Sequence, residues 1–113
     1  NEDFMKNNPE ALRKFLKVSY RAWQYTLNNI PEAITILSKY HPINRDDFVA
    51  NLTAVKEFFK TDRYKNYGIG YIDPARMQDT IDIVKEKGVQ MNTDPKYYYT
   101  SEFLPSPPYK FDF

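Results

Sequence analysis

The chain has 113 residues, a length typical of one compact domain with a single hydrophobic core. Its 16 Lys and Arg are nearly balanced by 15 Asp and Glu, so the formal charge of +1 gives no reason to expect a nucleic-acid partner or an anionic membrane surface. The absence of Cys excludes disulfides, thiolate metal sites and cysteine nucleophiles, and no apolar run reaches the roughly 18–20 residues of a membrane span.

Aromatic residues are unusually abundant, at 17% of the chain, with ten Tyr and eight Phe beside only three Gly. Low glycine content favours helix over a turn-rich all-β fold. Seven aromatic residues crowd the C-terminal seventeen positions: Tyr97, Tyr98, Tyr99, Phe103, Tyr109, Phe111 and Phe113. We expect this tail to lie against its own protein, because so many aromatic side chains would be costly to leave in water.

The first helix is predicted from about Pro9 to about Asn28. Asn8 can cap the free amide groups, and Pro9 suits the first helical position. Apolar and small residues then recur at spacings of three and four over about five turns. They are Leu12, Phe15, Leu16, Ser19, Ala22, Trp23, Thr26 and Leu27. A helix with this stripe would place Trp23 in the core.

Two further helices follow the first one. Pro31 can open a second helix that ends at His41-Pro42, so that the first two helices form an αα-hairpin. Asn44 then precedes a third amphipathic helix, which extends to about Lys60.

Residues 61–72 mix glycines, tyrosines and polar residues without a helical period, and we expect an irregular loop there. A fourth helix is specified at both ends, because Asp73-Pro74 is a typical start and Gly88 occupies the position of a left-handed C-terminal cap.

The remainder contains one more helical turn, predicted from Asp94-Pro95, and then three prolines that keep residues 105–113 extended. The sequence therefore predicts an all-α chain, a single helical segment over residues 1–113 with about four helices and an extended, aromatic, Pro-rich tail.

No residue pattern indicates catalysis or metal binding. His41 is the sole histidine, and one His without Cys makes neither a recognisable zinc site nor, with the available serines, a catalytic triad. Asp79, Asp82 and Glu86 share one helix face, which is more often the solvated side of an amphipathic helix than a cation site. We expect no metal and no cofactor.

Several segments, taken in order, carry a family resemblance. They are Asn8-Pro9-Glu10-Ala11, Phe15-Leu16, Ala22-Trp23 with Tyr25, Pro31-Glu32-Ala33 with Leu37 and Tyr40, Gly70-Tyr71-Ile72-Asp73-Pro74 with Met77-Gln78, and Tyr99-Thr100-Ser101-Glu102-Phe103-Leu104-Pro105. In this order and spacing they resemble the C-terminal region of ABC-importer substrate-binding proteins for thiamine pyrimidine precursors, nitrate, sulfonates and taurine. Ala22 and Ser101 depart from the Gly and Asn that are usual in that family.

The resemblance implies a type II periplasmic-binding-protein fold, in which two α/β lobes close on a small molecule. This chain would be the helical C-terminal third, and the rest of the lobes would be its partner. The implied function is capture of a small nitrogenous molecule, such as a thiamine pyrimidine precursor, and its delivery to an ABC-importer permease without catalysis. The implied location is extracytoplasmic, either periplasmic or as a cell-surface lipoprotein.

Most ligand contacts of such a protein would lie outside this chain. If any residues here reach the ligand cleft, the candidates are Tyr67, Tyr71 and Trp23. Aromatic faces stack on a pyrimidine ring, and a phenol or an indole N–H can fix its orientation.

Two alternative functions remain open. The same fold resembles a thiamine pyrimidine-precursor synthase, which would be cytoplasmic and consumes pyridoxal phosphate and an active-site histidine. The Tyr-Thr-x-Glu ending favours that branch, whereas His41 matches no such motif. The other alternative is a ligand-sensing domain fused to a kinase or a cyclase.

Residues 1–6 lack the pattern of a signal peptide.

Overall fold

Helices account for all of the regular secondary structure in the computed structural model, which describes residues 1–113. The elements are α1 (Glu2–Asn7), α2 (Pro9–Asn28), α3 (Ile30–Leu37), α4 (Arg45–Phe58), α5 (Asp62–Tyr67), α6 (Pro74–Glu86) and a single 3-10 turn (Pro95–Tyr97). The all-α prediction is confirmed. None of these helices combines the length and the apolar character needed to cross a bilayer.

The helix starts follow from local side-chain chemistry. The Asn44 side chain accepts hydrogen bonds from the amides of Asp46 and Asp47, at 3.1 and 3.3 Å, and caps α4. Asp73 caps α6 in the same way, through the amide of Ala75 at 2.9 Å. Each cap satisfies amide groups that have no partner within the helix. The predicted starts of these two helices are confirmed.

Two short helices differ from the sequence prediction. Helix α1 precedes α2 directly, so the Asn8 backbone closes α1 and its side chain does not form the cap that the sequence suggested. Helix α5 occupies the segment expected to be an irregular loop, and the Thr61 hydroxyl caps it by accepting from the amide of Tyr64. Each of these helices has six residues, fewer than two turns, and therefore shows no periodicity.

The centre of the molecule is the packing of α2 against its neighbours. Helices α2 and α3 form the predicted hairpin, α4 packs on both, and α1 lies on α2. Leu27 of α2 and Ile34 of α3 are almost completely buried. Helix α6 packs with the 3-10 turn, and Ile81 of α6 is fully buried.

The aromatic tail is part of this core. Phe111 forms one buried cluster with Tyr20 and Leu27 of α2, and its ring meets that of Phe59 edge-on at 4.7 Å. Polar contacts fix the tail on both sides: the Tyr109 hydroxyl donates to Gln24 Oε1, and the Tyr109 carbonyl accepts from the amide of Ile69, each at 2.9 Å. The prediction that the tail lies on its own protein is confirmed.

Much of the apolar surface nevertheless remains uncovered. The chain exposes 8621 Å², whereas a folded monomer of this mass exposes about 6500 Å². Its radius of gyration is 17.1 Å, against about 13 Å for a compact domain of roughly 100 residues. Only seven of 113 residues are buried. The isolated chain therefore leaves uncovered about 2100 Å² of surface that a compact protein of its size would bury.

We expect the substitution Phe111→Ala to lower the free energy of unfolding by about 3 kcal/mol, because it empties the position that joins the tail to α2. The matched control is Phe58→Ala, at a side chain that is 71% exposed, for which we expect a change of less than about 0.5 kcal/mol. Urea denaturation of both variants measures the difference. Equal losses in the two variants would contradict the assigned role of Phe111.

Candidate functional site

Two of the three candidate ligand-binding residues stack on each other. The rings of Tyr67 and Tyr71 lie 4.1 Å apart between centroids, with their planes only 14° from parallel. Tyr67 is the final residue of α5, and Tyr71 follows the short turn that leads toward α6. The Tyr67 side chain is 50% exposed. The result is a stacked aromatic pair that is partly exposed to solvent.

A glycine determines where Tyr71 lies. Gly70 has a positive φ of 85°, and a Cβ atom at this position would lie 2.5 Å from the Tyr20 hydroxyl oxygen and 2.8 Å from Leu104 Cδ2. Neither distance is possible for a real Cβ, so only glycine lets the turn approach the core this closely. This contact places the next residue, Tyr71, in a defined position relative to α2.

An ion pair joins the two helices that flank the tyrosine stack. Arg63 of α5 and Asp73 at the start of α6 are 2.7 Å apart between Nη2 and Oδ2, while the other Asp73 oxygen caps α6. Both side chains are partly exposed, so the pair contributes at most about 1 kcal/mol to stability. It forms a direct contact between α5 and the start of α6.

The two stacked tyrosines have free hydroxyl groups. The hydroxyls of Tyr64, Tyr98 and Tyr109 form hydrogen bonds within the chain, whereas those of Tyr67 and Tyr71 do not. Desolvation raises the pKa of Tyr71 above its ordinary value of 10.0, and the nearby negative charge of Asp73 raises it further. A tyrosine with the ordinary pKa of 10.0 is already protonated at neutral pH, so the Tyr71 hydroxyl can donate a hydrogen bond.

The third candidate residue, Trp23, lies elsewhere. It lines a groove of about 560 Å³ between α2, α3 and α4, together with Ser19, Ala22, Tyr25, Thr26, Ala33, Ile34, Ile36, Leu37, Tyr40, Phe48 and Leu52. Ten of these twelve residues are hydrophobic, and neither Tyr67 nor Tyr71 is among them. Trp23 is 45% exposed in this chain and lies outside its buried core. Tyr20, which the predicted stripe omitted, takes the core position on α2 instead.

Sequence reasoning missed two residues near the stack. Arg63 was not among the ligand-binding candidates because its partner, Asp73, is ten positions away and helix α5, which contains Arg63, was not predicted. The other is Tyr99, which contributes to the raised pKa of Tyr71 after desolvation, Asp73 and Tyr67. It also lines a second hollow of about 600 Å³, between α1 and the 3-10 turn, with Lys6 and Lys96. The run Tyr97-Tyr98-Tyr99 was the available signal.

Ionisable side chains do not gather into a metal site. The structure has no group of three or more His, Cys, Asp or Glu residues that could hold a metal ion. Of the acidic stripe on α6, Asp82 accepts a hydrogen bond from Gln78 at 2.9 Å, and all three of its members are exposed. This is the solvated face that the sequence indicated.

Comparison with known proteins supports the family resemblance. Residues 1–33 match a family model described as NMT1/THI5 like. The chain is 27% identical over 114 aligned positions to the riboflavin-binding protein RibY of Chloroflexus aurantiacus. That alignment covers 96% of this chain and 32% of the relative, so the chain spans about a third of the relative's length. No solved structure matches the chain.

Alanine substitutions at two glycines with a positive φ, Gly70 and Gly88, test whether the turn before Tyr71 approaches the core as closely as described. Gly88→Ala, where a Cβ meets no atom within 4 Å, should cost about 1 kcal/mol of unfolding free energy from backbone strain alone. Gly70→Ala should cost about 2 kcal/mol more, because the added Cβ collides with Tyr20 and Leu104. In a Tyr20→Phe background, which removes the nearest atom, we expect part of this difference to disappear. Equal costs at the two glycines in denaturation experiments would refute the close approach.

Proposed function

We propose that this chain is the C-terminal part of a two-lobe solute-binding protein of the type II periplasmic-binding-protein fold. The protein captures a small nitrogenous molecule, a thiamine pyrimidine precursor or a related heterocycle, and delivers it to an ABC importer. The observation that carries this proposal is the similarity to a riboflavin-binding protein, which extends over 96% of the chain but only 32% of that relative.

The uncovered surface of the chain supports the same proposal. An excess of about 2100 Å² is larger than the roughly 800 Å² that each partner buries in a standard protein interface. Helices with one covered and one open apolar side are what a layer that packs on a sheet would present. The missing layer would come from the remaining lobes of the longer protein.

Ligand binding in this proposal involves no chemical step. Closure of the two lobes removes the ligand from water, and the closed form is stabilised because it binds the ligand more tightly than the open form does. The helices of this chain would support one lobe, and the tyrosine stack is the surface that they could contribute to the ligand. The permease would recognise the closed protein on the extracytoplasmic side of the membrane.

One observation favours a second candidate, a thiamine pyrimidine-precursor synthase of the same fold. Residues 1–33 match the family model whose description includes THI5. Within this chain, however, the sole histidine, His41, is exposed to solvent. A synthase would also have to draw its cofactor contacts from other parts of the protein.

Thermal unfolding of the full-length gene product tests the proposed function. Riboflavin or the thiamine pyrimidine precursor, at one hundred times its Kd, should add about 2.7 kcal/mol to the stability of the full-length protein. The 113-residue chain alone should show no comparable gain, because most of the cleft lies elsewhere. Mass spectrometry should recover the ligand unchanged.

Three results would contradict this proposal. A full-length protein without any ligand-induced stabilisation would not be a binding protein for these molecules. An equal gain for the 113-residue chain would show that the binding site is complete within it. Chemical conversion of the ligand or of a bound pyridoxal phosphate would favour the synthase instead.

A further inference from the structure

We propose that the stacked pair Tyr67 and Tyr71 is the ligand contact that this chain contributes, and that it binds a planar nitrogen heterocycle. The ring of the ligand would stack on the open aromatic face, and the two phenol hydroxyls would donate hydrogen bonds to acceptor atoms of the ligand. This inference rests on the proposed function and specifies the chemistry of its site.

The geometry of the pair suits a third stacked ring. Two rings that are nearly parallel at 4.1 Å already have the arrangement that a flat heteroaromatic ligand would extend. A tyrosine pair that served only to fill the core would be buried, yet Tyr67 is 50% exposed. Stacking accepts any flat ring with a π face, so it selects for planarity before it selects for a particular substituent pattern.

The pair is also held in place before any ligand arrives. The turn between the two tyrosines is seated on Tyr20 through Gly70, and the Arg63–Asp73 ion pair joins the helices on either side of it. A surface that is already ordered loses little conformational entropy when it binds.

The polar groups of the pair are available for recognition. Neither hydroxyl is used within the chain, in contrast to those of Tyr64, Tyr98 and Tyr109. Nitrogen heterocycles carry ring nitrogens and carbonyl oxygens that accept hydrogen bonds. The pair therefore offers an aromatic surface for stacking and two hydrogen-bond donors. Together these can both bind a ligand ring and fix its orientation.

The apolar groove at Trp23 is less suited to such a ligand. Ten of its twelve lining residues are hydrophobic, so it has few groups that could orient a polar ring. Its walls are better explained as surface that another layer of the longer protein covers. Of the three candidate residues, Tyr67 and Tyr71 are therefore the ligand-contacting pair, and Trp23 is a packing residue.

The test is a binding titration of the full-length gene product with riboflavin and with the thiamine pyrimidine precursor. Tyr67→Leu and Tyr71→Leu should each raise the Kd at least roughly tenfold, because the stacking face is lost. The double variant Tyr67→Phe, Tyr71→Phe keeps both rings and removes both donors, and it should raise the Kd roughly threefold to tenfold. The control Phe58→Leu, at an aromatic side chain that is 71% exposed and lies outside both the stack and the groove, should leave the Kd within about twofold.

The outcomes separate this inference from the proposed function. If the wild-type protein binds a probe and the Leu variants bind it equally well, the stack is not the contact, while the proposed function stands. If the wild-type protein binds neither probe, both proposals fail. If a Leu variant does not fold, the double Phe variant decides, and an unchanged Kd there would overturn the role of the hydroxyls and with it the inference.

Discussion

The insertion of Phe111 beside Tyr20 and Leu27 holds the rest of this structure together. These three residues form a buried cluster, against which Leu52 and Val55 of α4 and Phe59 also pack. Tyr20 of this cluster is also the side chain that the turn at Gly70 approaches closely. The candidate site therefore adjoins the same cluster that holds the tail.

The sequence was most informative where structure depends on neighbouring residues. Prolines and capping side chains predicted α2, α4 and α6 to within a few residues, because a cap acts on amides two or three positions away. Helices α1 and α5 were not predictable in this way, since six residues produce no period. The role of Trp23 was also out of reach: α2 has two adjacent apolar flanks, and periodicity does not show which of them is covered.

The candidate site shows the same limit. Aromatic character singled out Tyr67 and Tyr71, but their stacking occurs across a turn with a positive φ at Gly70, beside an ion pair from a helix that was not predicted. Spacing along the chain does not encode such an arrangement. The resemblance to a binding-protein family added what local patterns lacked, namely the expectation that a large part of the apolar surface has a partner in a longer protein.

The long separation of the core residues has a consequence for synthesis. Gln24 and Tyr109, which are bonded across the core, are 85 positions apart in the chain. A ribosome that adds 5–20 residues per second needs roughly 4–17 seconds to bridge that interval. During this time the apolar side of α2 emerges without the aromatic residues that will cover it. Nascent chains of this protein should therefore depend on chaperone protection until the tail has been made.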